Sequence, residues 1–200
     1  MASDNLSRTF IKALRTTQVV LLHPSDDDGN SLEHQLRRIG CRVRSFWPPP
    51  ASPVRDADVV YFLADPEHPD LHQPYSDDRS AALIAIVAFE SPLEVQAIVE
   101  ANVHGTVAKP IQPIGVLSCL ASAMSQHRYE KRLSARVEKL DELLKTRRLV
   151  ERATQILATH RQISEHEAAA MLRRQAMNKQ ISLYEMATSI INADRLLGDS

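Results

Sequence analysis

The sequence has little cysteine, little glycine and no long apolar run. Its two cysteines, Cys41 and Cys119, are far apart and lack Cys-x-x-Cys spacing, which argues against a disulfide framework and a thiolate metal site. Five glycines leave little material for a phosphate-binding loop, and no motif places a nucleophile or an acid/base pair. No segment has the apolar length of a signal peptide or a membrane span. We therefore expect a non-enzymatic, unexported cytoplasmic protein without a metal or cofactor.

Charge is distributed unevenly along the chain, although the net charge is only −1. Residues 1–127 carry 10 Lys and Arg against 15 Asp and Glu, giving −5, whereas residues 128–197 carry 14 against 9, giving +5. Charged helix faces alone could produce this difference, and that interpretation stays open. The alternative is an acidic regulatory half followed by a basic half suited to a polyanion.

The first half alternates strand-like and helix-like segments. Short apolar runs indicate five strands, at residues 19–22, 41–46, 59–63, 82–88 and 106–108. One helix is expected over 31–39, ending at Gly40, and another over 92–102, led by Ser91 as its N-cap. The sequence predicts an α/β domain with five parallel strands and helices on both faces of the sheet.

The segments VVLLHPSDDDGNSLEHQLRRIG, DVVYFL, AALIAIVAFES and HGTVAKPI resemble, in this order, a response-regulator receiver domain over roughly residues 17–125. A working receiver needs an acidic pair after strand one for Mg²⁺, an aspartate ending strand three, a Thr or Ser after strand four and a Lys before a Pro. Of these residues only the lysine is present. The corresponding positions hold His23, Pro24, Leu63, Val87 and Lys109. The resemblance implies a degenerate, flavodoxin-like receiver over residues 1–125.

One alternative at that site is a shifted metal site formed by displaced carboxylates. Asp65 lies two residues beyond the acceptor position, and an acidic run at residues 26–28 lies a few residues after the positions of the acidic pair. A two-residue displacement moves a side chain about 6–7 Å along a strand. We therefore expect the acidic run to form a solvated loop and helix start, and Lys109 to pair with a nearby carboxylate or to serve only as a shape feature before Pro110.

Two loops between these elements have unusual compositions. His68 and His72 lie among acidic residues in a proline-rich segment, where a solvated loop is favoured over a zinc site. Trp47, Pro48 and Pro49 begin a rigid, partly apolar stretch. It is either a docking element for a partner protein or a loop folded back on the core.

A helical pattern begins near residue 113 and continues to about residue 160. Such a helix would be about 65–70 Å long at 1.5 Å per residue, beyond the reach of the receiver core. Within residues 126–148, four apolar residues follow the 4-3-4 spacing of a coiled-coil seam: Leu133, Val137, Leu140 and Leu144. This predicts a dimerisation helix, with packing against its own domain as the alternative.

The last fifty residues contain two helix starts of one pattern, Ser164-x-x-Glu167 and Ser182-x-x-Glu185. In each, the serine hydroxyl can accept from the glutamate amide while the glutamate carboxylate accepts from the serine amide. Each opens an alanine-rich amphipathic segment, so we expect a small three-helix module. Apolar residues at helical spacing should form its core: Leu172, Ala176, Leu183, Met186, Ala187, Ile190 and Ile191.

This tail, residues 149–197, resembles the ANTAR domain, the three-helix RNA-binding module of transcription antiterminators. The resemblance depends on an ordered set of residues: Ala153, Ile156, Leu157, Glu167, Ala168, Leu172, Arg173, Ala176, Met177, Ala187 and Ile190. Thr154 departs from it, because a lysine is common there. Polar side chains outside the apolar stripe suit phosphate and base-edge contacts, and they are the candidate RNA-binding residues: Arg148, Arg152, Arg173, Arg174, Asn178 and Lys179.

The order of degenerate receiver, coiled coil and ANTAR domain resembles the AmiR-like antiterminators of amidase operons. The resemblance implies a homodimer that binds hairpins of a leader RNA and pre-empts a terminator. It also implies an inhibitory, ligand-sensing partner protein similar to a periplasmic binding protein, and we expect Trp47, Pro48 and Pro49 to contribute to its docking. Two alternatives stay open: a phospho-switched response regulator with a DNA-binding output, and a protein-binding adaptor.

Overall fold

The structure is a computed structural model that describes residues 14–50, 52–65, 80–89 and 91–198, together with Lys12 and Tyr75. The chain divides into two compact units, residues 1–131 and 132–200. His68 and His72 lie outside the described residues, so the loop proposed there stays a prediction. None of the described helices is long and apolar enough to cross a membrane.

The first unit is built on a five-stranded sheet with the order β2-β1-β3-β4-β5 and parallel pairing throughout. The strands are β1 Gln18–Leu22, β2 Arg42–Phe46, β3 Val59–Ala64, β4 Ala82–Val87 and β5 Gly105–Ala108. The three inner strands are almost entirely buried, because both faces of the sheet are covered. The predicted five-stranded parallel sheet is confirmed, and every predicted bound lies within one residue of the observed one.

Helices cover both faces of this sheet, with alternate strand residues facing each way. On one face, helix α1 (Asp27–Ile39) contributes Leu32 and Leu36 to the core. Helix α2 (Pro92–Glu100) lies on the other face through Ile98. α1 begins four residues earlier than the pattern predicts, because the Asp26 side chain caps it by accepting a 2.8 Å hydrogen bond from the Gly29 amide.

The third helix, α3 (Pro113–Arg161), has 49 residues, and it belongs to the first unit at its start and to the second at its end. Ile114 and Gly115 are not helical, so the regular helix begins after them. Val116, Leu120 and Ala123 are buried in the core of the first unit. The long helix predicted from about residue 113 to about residue 160 is confirmed.

Two short helices, α4 (Glu165–Lys179) and α5 (Leu183–Gly198), complete the second unit. Both predicted capping patterns form: Glu167 N donates to Ser164 Oγ over 3.2 Å, and Glu185 N to Ser182 Oγ over 3.1 Å. The glutamate carboxylates accept the serine amides in return, over 3.0 and 2.8 Å. All seven residues predicted for the core of the module lie in one apolar cluster, which also contains Ala153.

Candidate functional sites

The positions that form a receiver's phosphorylation site hold His23, Leu63 and Val87 here in place of carboxylates and a hydroxyl. His23 follows β1 and is buried, with Nδ1 donating to the Pro24 carbonyl over 2.8 Å. Its Nε2 is buried without a hydrogen-bond partner among the described residues. Leu63 and Val87 lie near the ends of β3 and β4. Among the residues the structure describes, no three His, Cys, Asp or Glu side chains are grouped to hold a metal ion.

Lys109 lies at this edge of the sheet and pairs with carboxylates. Its Nζ is 3.5 Å from Asp26 Oδ2 and 3.9 Å from Asp28 Oδ2. Burial raises the pKa of the Asp26 carboxyl, but the Gly29 amide, His23 and Lys109 together outweigh it, so the pKa is lowered. Asp28 Oδ1 also accepts a 2.7 Å hydrogen bond from the Ile111 amide. Asp26, which caps α1, and Asp28, in its first turn, thus both pair with the lysine.

A pair of histidines that no sequence motif indicates joins the residue before β5 to α3. His104 Nδ1 accepts from the Leu83 amide over 3.0 Å, so Nε2 carries the proton, and it lies 3.3 Å from both Glu130 Oε2 and His127 Nδ1. Burial lowers the pKa of His127, and the neighbouring His104 and Lys131 lower it further, against smaller opposing contributions from the Ser80 backbone and from Glu130. The neutral form of His127 is therefore favoured in the folded chain.

The predicted seam residues on α3 are exposed in the single chain. Leu133, Val137, Leu140 and Leu144 keep between 49% and 59% of their surface open to solvent. Neighbouring polar residues from 128 to 145 are exposed as well, so this part of the helix has no buried side in one chain. A row of half-exposed apolar side chains at heptad spacing is the surface that a coiled coil covers.

The candidate RNA-binding residues are exposed on the second unit. On α4, Arg173 and Arg174 follow the buried Leu172, and Asn178 lies one turn after Arg174. Lys179 ends the helix. Arg148 and Arg152 are exposed on α3. Thr154, where the family resemblance leads one to expect lysine, is buried.

The tryptophan–proline segment follows directly on β2. Trp47 is partly exposed, Pro48 is exposed, and Pro49 is half-buried. The peptide bonds before Pro48 and Pro110 are both cis. This segment therefore presents apolar surface to solvent directly after the end of β2.

Comparison with known proteins gives matches to both parts of the chain. The family of AmiR N-terminal domains matches residues 17–124, and the ANTAR domain family matches residues 138–191. The aliphatic amidase regulator of Pseudomonas aeruginosa is 29% identical over 188 residues, covering 92% of this chain and 96% of that protein. The transcriptional regulatory protein PdtaR of Mycobacterium tuberculosis is 26% identical over 122 residues, covering 61% of this chain and 60% of that protein.

Solved structures support the fold. The response regulator StyR superposes with a TM-score of 0.55, covering 89% of this chain and 100% of that chain at 14% identity. The receiver domain of a modulated diguanylate cyclase from Desulfovibrio desulfuricans G20 gives a TM-score of 0.50 over 56% of this chain and 97% of that chain, at 15% identity. At these identities the likeness concerns the fold alone.

Proposed function

Because the chain belongs to the AmiR family and carries an ANTAR domain, we propose that it is a transcription antitermination regulator that binds leader-RNA hairpins as a homodimer. It is a regulator rather than an enzyme, and we place its action in the cytoplasm, where the transcript is made. The parts we propose are a pseudo-receiver over residues 1–125, a dimerisation helix over 126–148 and an RNA-binding module over 149–197.

The observation that carries this proposal is the exposed polar side of α4. Leu172 and Ala176 are buried, whereas Arg173, Arg174 and Asn178 are exposed on the same helix. Guanidinium groups bind phosphate and stack on bases, and an amide side chain hydrogen-bonds base edges. Unpaired bases in an RNA loop are accessible to such side chains, whereas the deep major groove of an RNA duplex is not.

The dimeric part of the proposal suits an RNA whose paired hairpins present two binding sites. The half-exposed seam of α3 gives each chain one apolar stripe for a second copy. Linking two RNA-binding modules through a coiled coil raises the effective concentration of the second module once the first is bound.

We propose that control comes from a ligand-sensing partner protein instead of phosphorylation. The lysine of the degenerate site is already paired with Asp26, and no carboxylate occupies the acceptor position. The partner would resemble a periplasmic binding protein and would dock in part on Trp47, Pro48 and Pro49. Trp47→Ala should weaken the complex at least tenfold, since partly exposed tryptophans are frequent anchors of interfaces. An unchanged affinity for the partner would show that this loop is not part of the interface.

RNA binding is tested by titrating the protein against a leader RNA with two loop hairpins at several salt concentrations. Arg173→Ala with Arg174→Ala should weaken binding and reduce the slope of log affinity against log salt by about 1–2 units, since two phosphate contacts are lost. Lys139→Ala with Lys145→Ala removes equal charge from exposed positions outside the seam and should leave binding unchanged. If the parent binds the hairpins no better than a shuffled RNA, the proposal is wrong.

A further inference from the structure

We infer that the outer edge of β2 binds an extended, acidic segment of a partner protein as a sixth strand of the sheet. The inference rests on the proposed control by a partner protein and deepens it by naming the chemistry of the segment that docks. Recognition combines backbone hydrogen bonds to β2, which give affinity, with arginine side chains beside it, which select an acidic sequence.

The backbone of β2 is open on one side. It is an edge strand, because β1 is its only neighbour among the described strands. The Arg42 amide donates to the Thr17 carbonyl, just before β1, over 3.0 Å. Since backbone groups alternate in direction along a strand, the amides and carbonyls of Val43 and Ser45 point away from β1. In the described part of the chain neither residue has another backbone hydrogen bond, so these groups are available to a further strand.

Arginine side chains border this edge on one face of the sheet. Arg42 and Arg44 are two residues apart, so their side chains leave β2 on the same face as Phe46, and both are exposed. Arg44 Nη2 donates to the Arg55 carbonyl over 3.0 Å, which places the backbone of Arg55 beside β2, and the side chain of Arg55 is exposed as well. Among the described residues, none of the three arginines forms a salt bridge with a carboxylate. They are therefore available to the carboxylates of a ligand.

The opposite face of β2 has a different character. Glu33, on α1, accepts a hydrogen bond from Ser45 Oγ and pairs with Arg37 Nη2 over 2.6 Å, so its carboxylate is already engaged. Val43 packs against the apolar core on this face. A sixth strand would thus meet arginines on one face and a small polar and an apolar side chain on the other.

The loop that carries Arg55 is held against the core. Val54 and Ala57 pack in the same apolar cluster as Phe46. The Val54 amide also donates to the Tyr75 hydroxyl over 3.1 Å. Because the backbone on both sides of Arg55 is held in this way, the surface needs little rearrangement when a ligand binds.

A segment of opposite charge suits this edge better than a second copy of the chain. Pairing β2 with β2 of another copy would bring arginines opposite arginines, and like charges in that position destabilise a sheet. An extended segment with an acidic residue at every second position would instead form cross-strand ion pairs with Arg42 and Arg44. Its other side chains would face Val43 and Ser45, where β-branched residues pack well. β2 also leads directly into Trp47, where the segment proposed for partner docking begins, so the two contacts would form one surface.

The test titrates the full-length protein with short, end-blocked fluorescent peptides in which glutamate alternates with valine or threonine. These peptides should bind, whereas peptides with lysine in place of glutamate should not. Arg42→Gln with Arg44→Gln should weaken binding about 3–10-fold, because two cross-strand ion pairs are lost. Lys139→Gln with Lys145→Gln removes equal charge from exposed positions of α3 and should leave peptide binding unchanged.

Two measurements separate strand addition from simple attraction between charges. Ser45→Pro removes one outward amide but keeps every arginine, and an edge strand tolerates proline where its amide faces solvent. It should abolish peptide binding, whereas Ser45→Ala, which keeps the amide, should bind as the parent does. In the parent, the amide hydrogens of Val43 and Ser45 should exchange with solvent about tenfold more slowly when the acidic peptide is bound, and this result does not depend on how the proline variant folds.

The contrary results are distinct. If the parent binds the acidic peptide without slower exchange at Val43 and Ser45, strand addition is wrong. If no acidic peptide binds, the inference is wrong, while the proposed partner control keeps its own test in Trp47→Ala. If Arg42→Gln with Arg44→Gln weakens binding of the leader RNA hairpins, this edge is part of the RNA-binding surface and the inference is overturned.

Discussion

Truncating one leucine of the proposed seam should weaken the proposed dimer without unfolding either unit. Leu140 lies at the centre of the proposed seam and is 59% exposed in the single chain. Leu140→Ala removes no contact with the core clusters, because the residue belongs to none of them. Alanine also keeps the helix intact, since it has the highest helix propensity. The change therefore acts on association rather than on folding.

The expected magnitude follows from the exposed fraction. Full burial of a leucine side chain contributes about 1.5–3 kcal/mol, so covering the open 59% of Leu140 contributes about 1 kcal/mol per chain. A symmetric dimer contains the residue twice, which gives about 2 kcal/mol. Because 1.4 kcal/mol corresponds to a factor of ten, the dimer dissociation constant should rise about 30-fold.

Sedimentation equilibrium over a range of concentrations measures this constant directly. Leu143→Ala is the matched control, because Leu143 is 58% exposed on the same helix but lies beside the 4-3-4 spacing instead of on it. It should change the dissociation constant only a few-fold. Equal effects of the two substitutions would contradict the proposal that α3 dimerises through this seam. A parent protein that stays monomeric at all concentrations would contradict it as well.

Three further predictions concern stability and phosphorylation. Ser182→Ala and Ser164→Ala should each lower the unfolding free energy of the second unit by about 1 kcal/mol in thermal or urea unfolding, and a loss near zero would contradict the capping role. Because the pKa of His127 is lowered by folding, its contribution to stability is complete above its ordinary value of 6.5 and is lost as pH falls through that value towards the folded one. His127→Gln should therefore flatten the fall in melting temperature below pH 6.5, and a parallel curve would contradict this. Acetyl phosphate should label no residue, and label on Asp65 would show that a displaced carboxylate accepts phosphate.

The fold could be predicted largely from the sequence because its signals are local. Unbroken apolar runs mark the inner strands of a parallel sheet, and Gly40, with φ of 111°, ends α1 as the sequence predicts. The start of α1 is predicted too late, because the sequence pattern places Asp26 in an acidic loop. The sequence does not show the hydrogen bond from the Gly29 amide to Asp26 that caps the helix. Ser91 was expected only as an N-cap, but Glu94 completes a reciprocal capping pair there.

The candidate sites were only partly predictable, because exposure and distant contacts have no local pattern. His104 and His127 are 23 residues apart in sequence, and nothing in either neighbourhood indicates that their rings meet. Charge patterns therefore indicate the proposed RNA-binding helix, whereas the contact between the two histidines emerges only from the fold.

Single-round transcription through a terminator preceded by paired hairpins tests the central claim most directly. We predict that adding the protein raises the fraction of read-through transcripts, and that the variant carrying Arg173→Ala and Arg174→Ala does not. Read-through that stays at the level of the protein-free reaction, at concentrations where the parent is dimeric, would contradict the account.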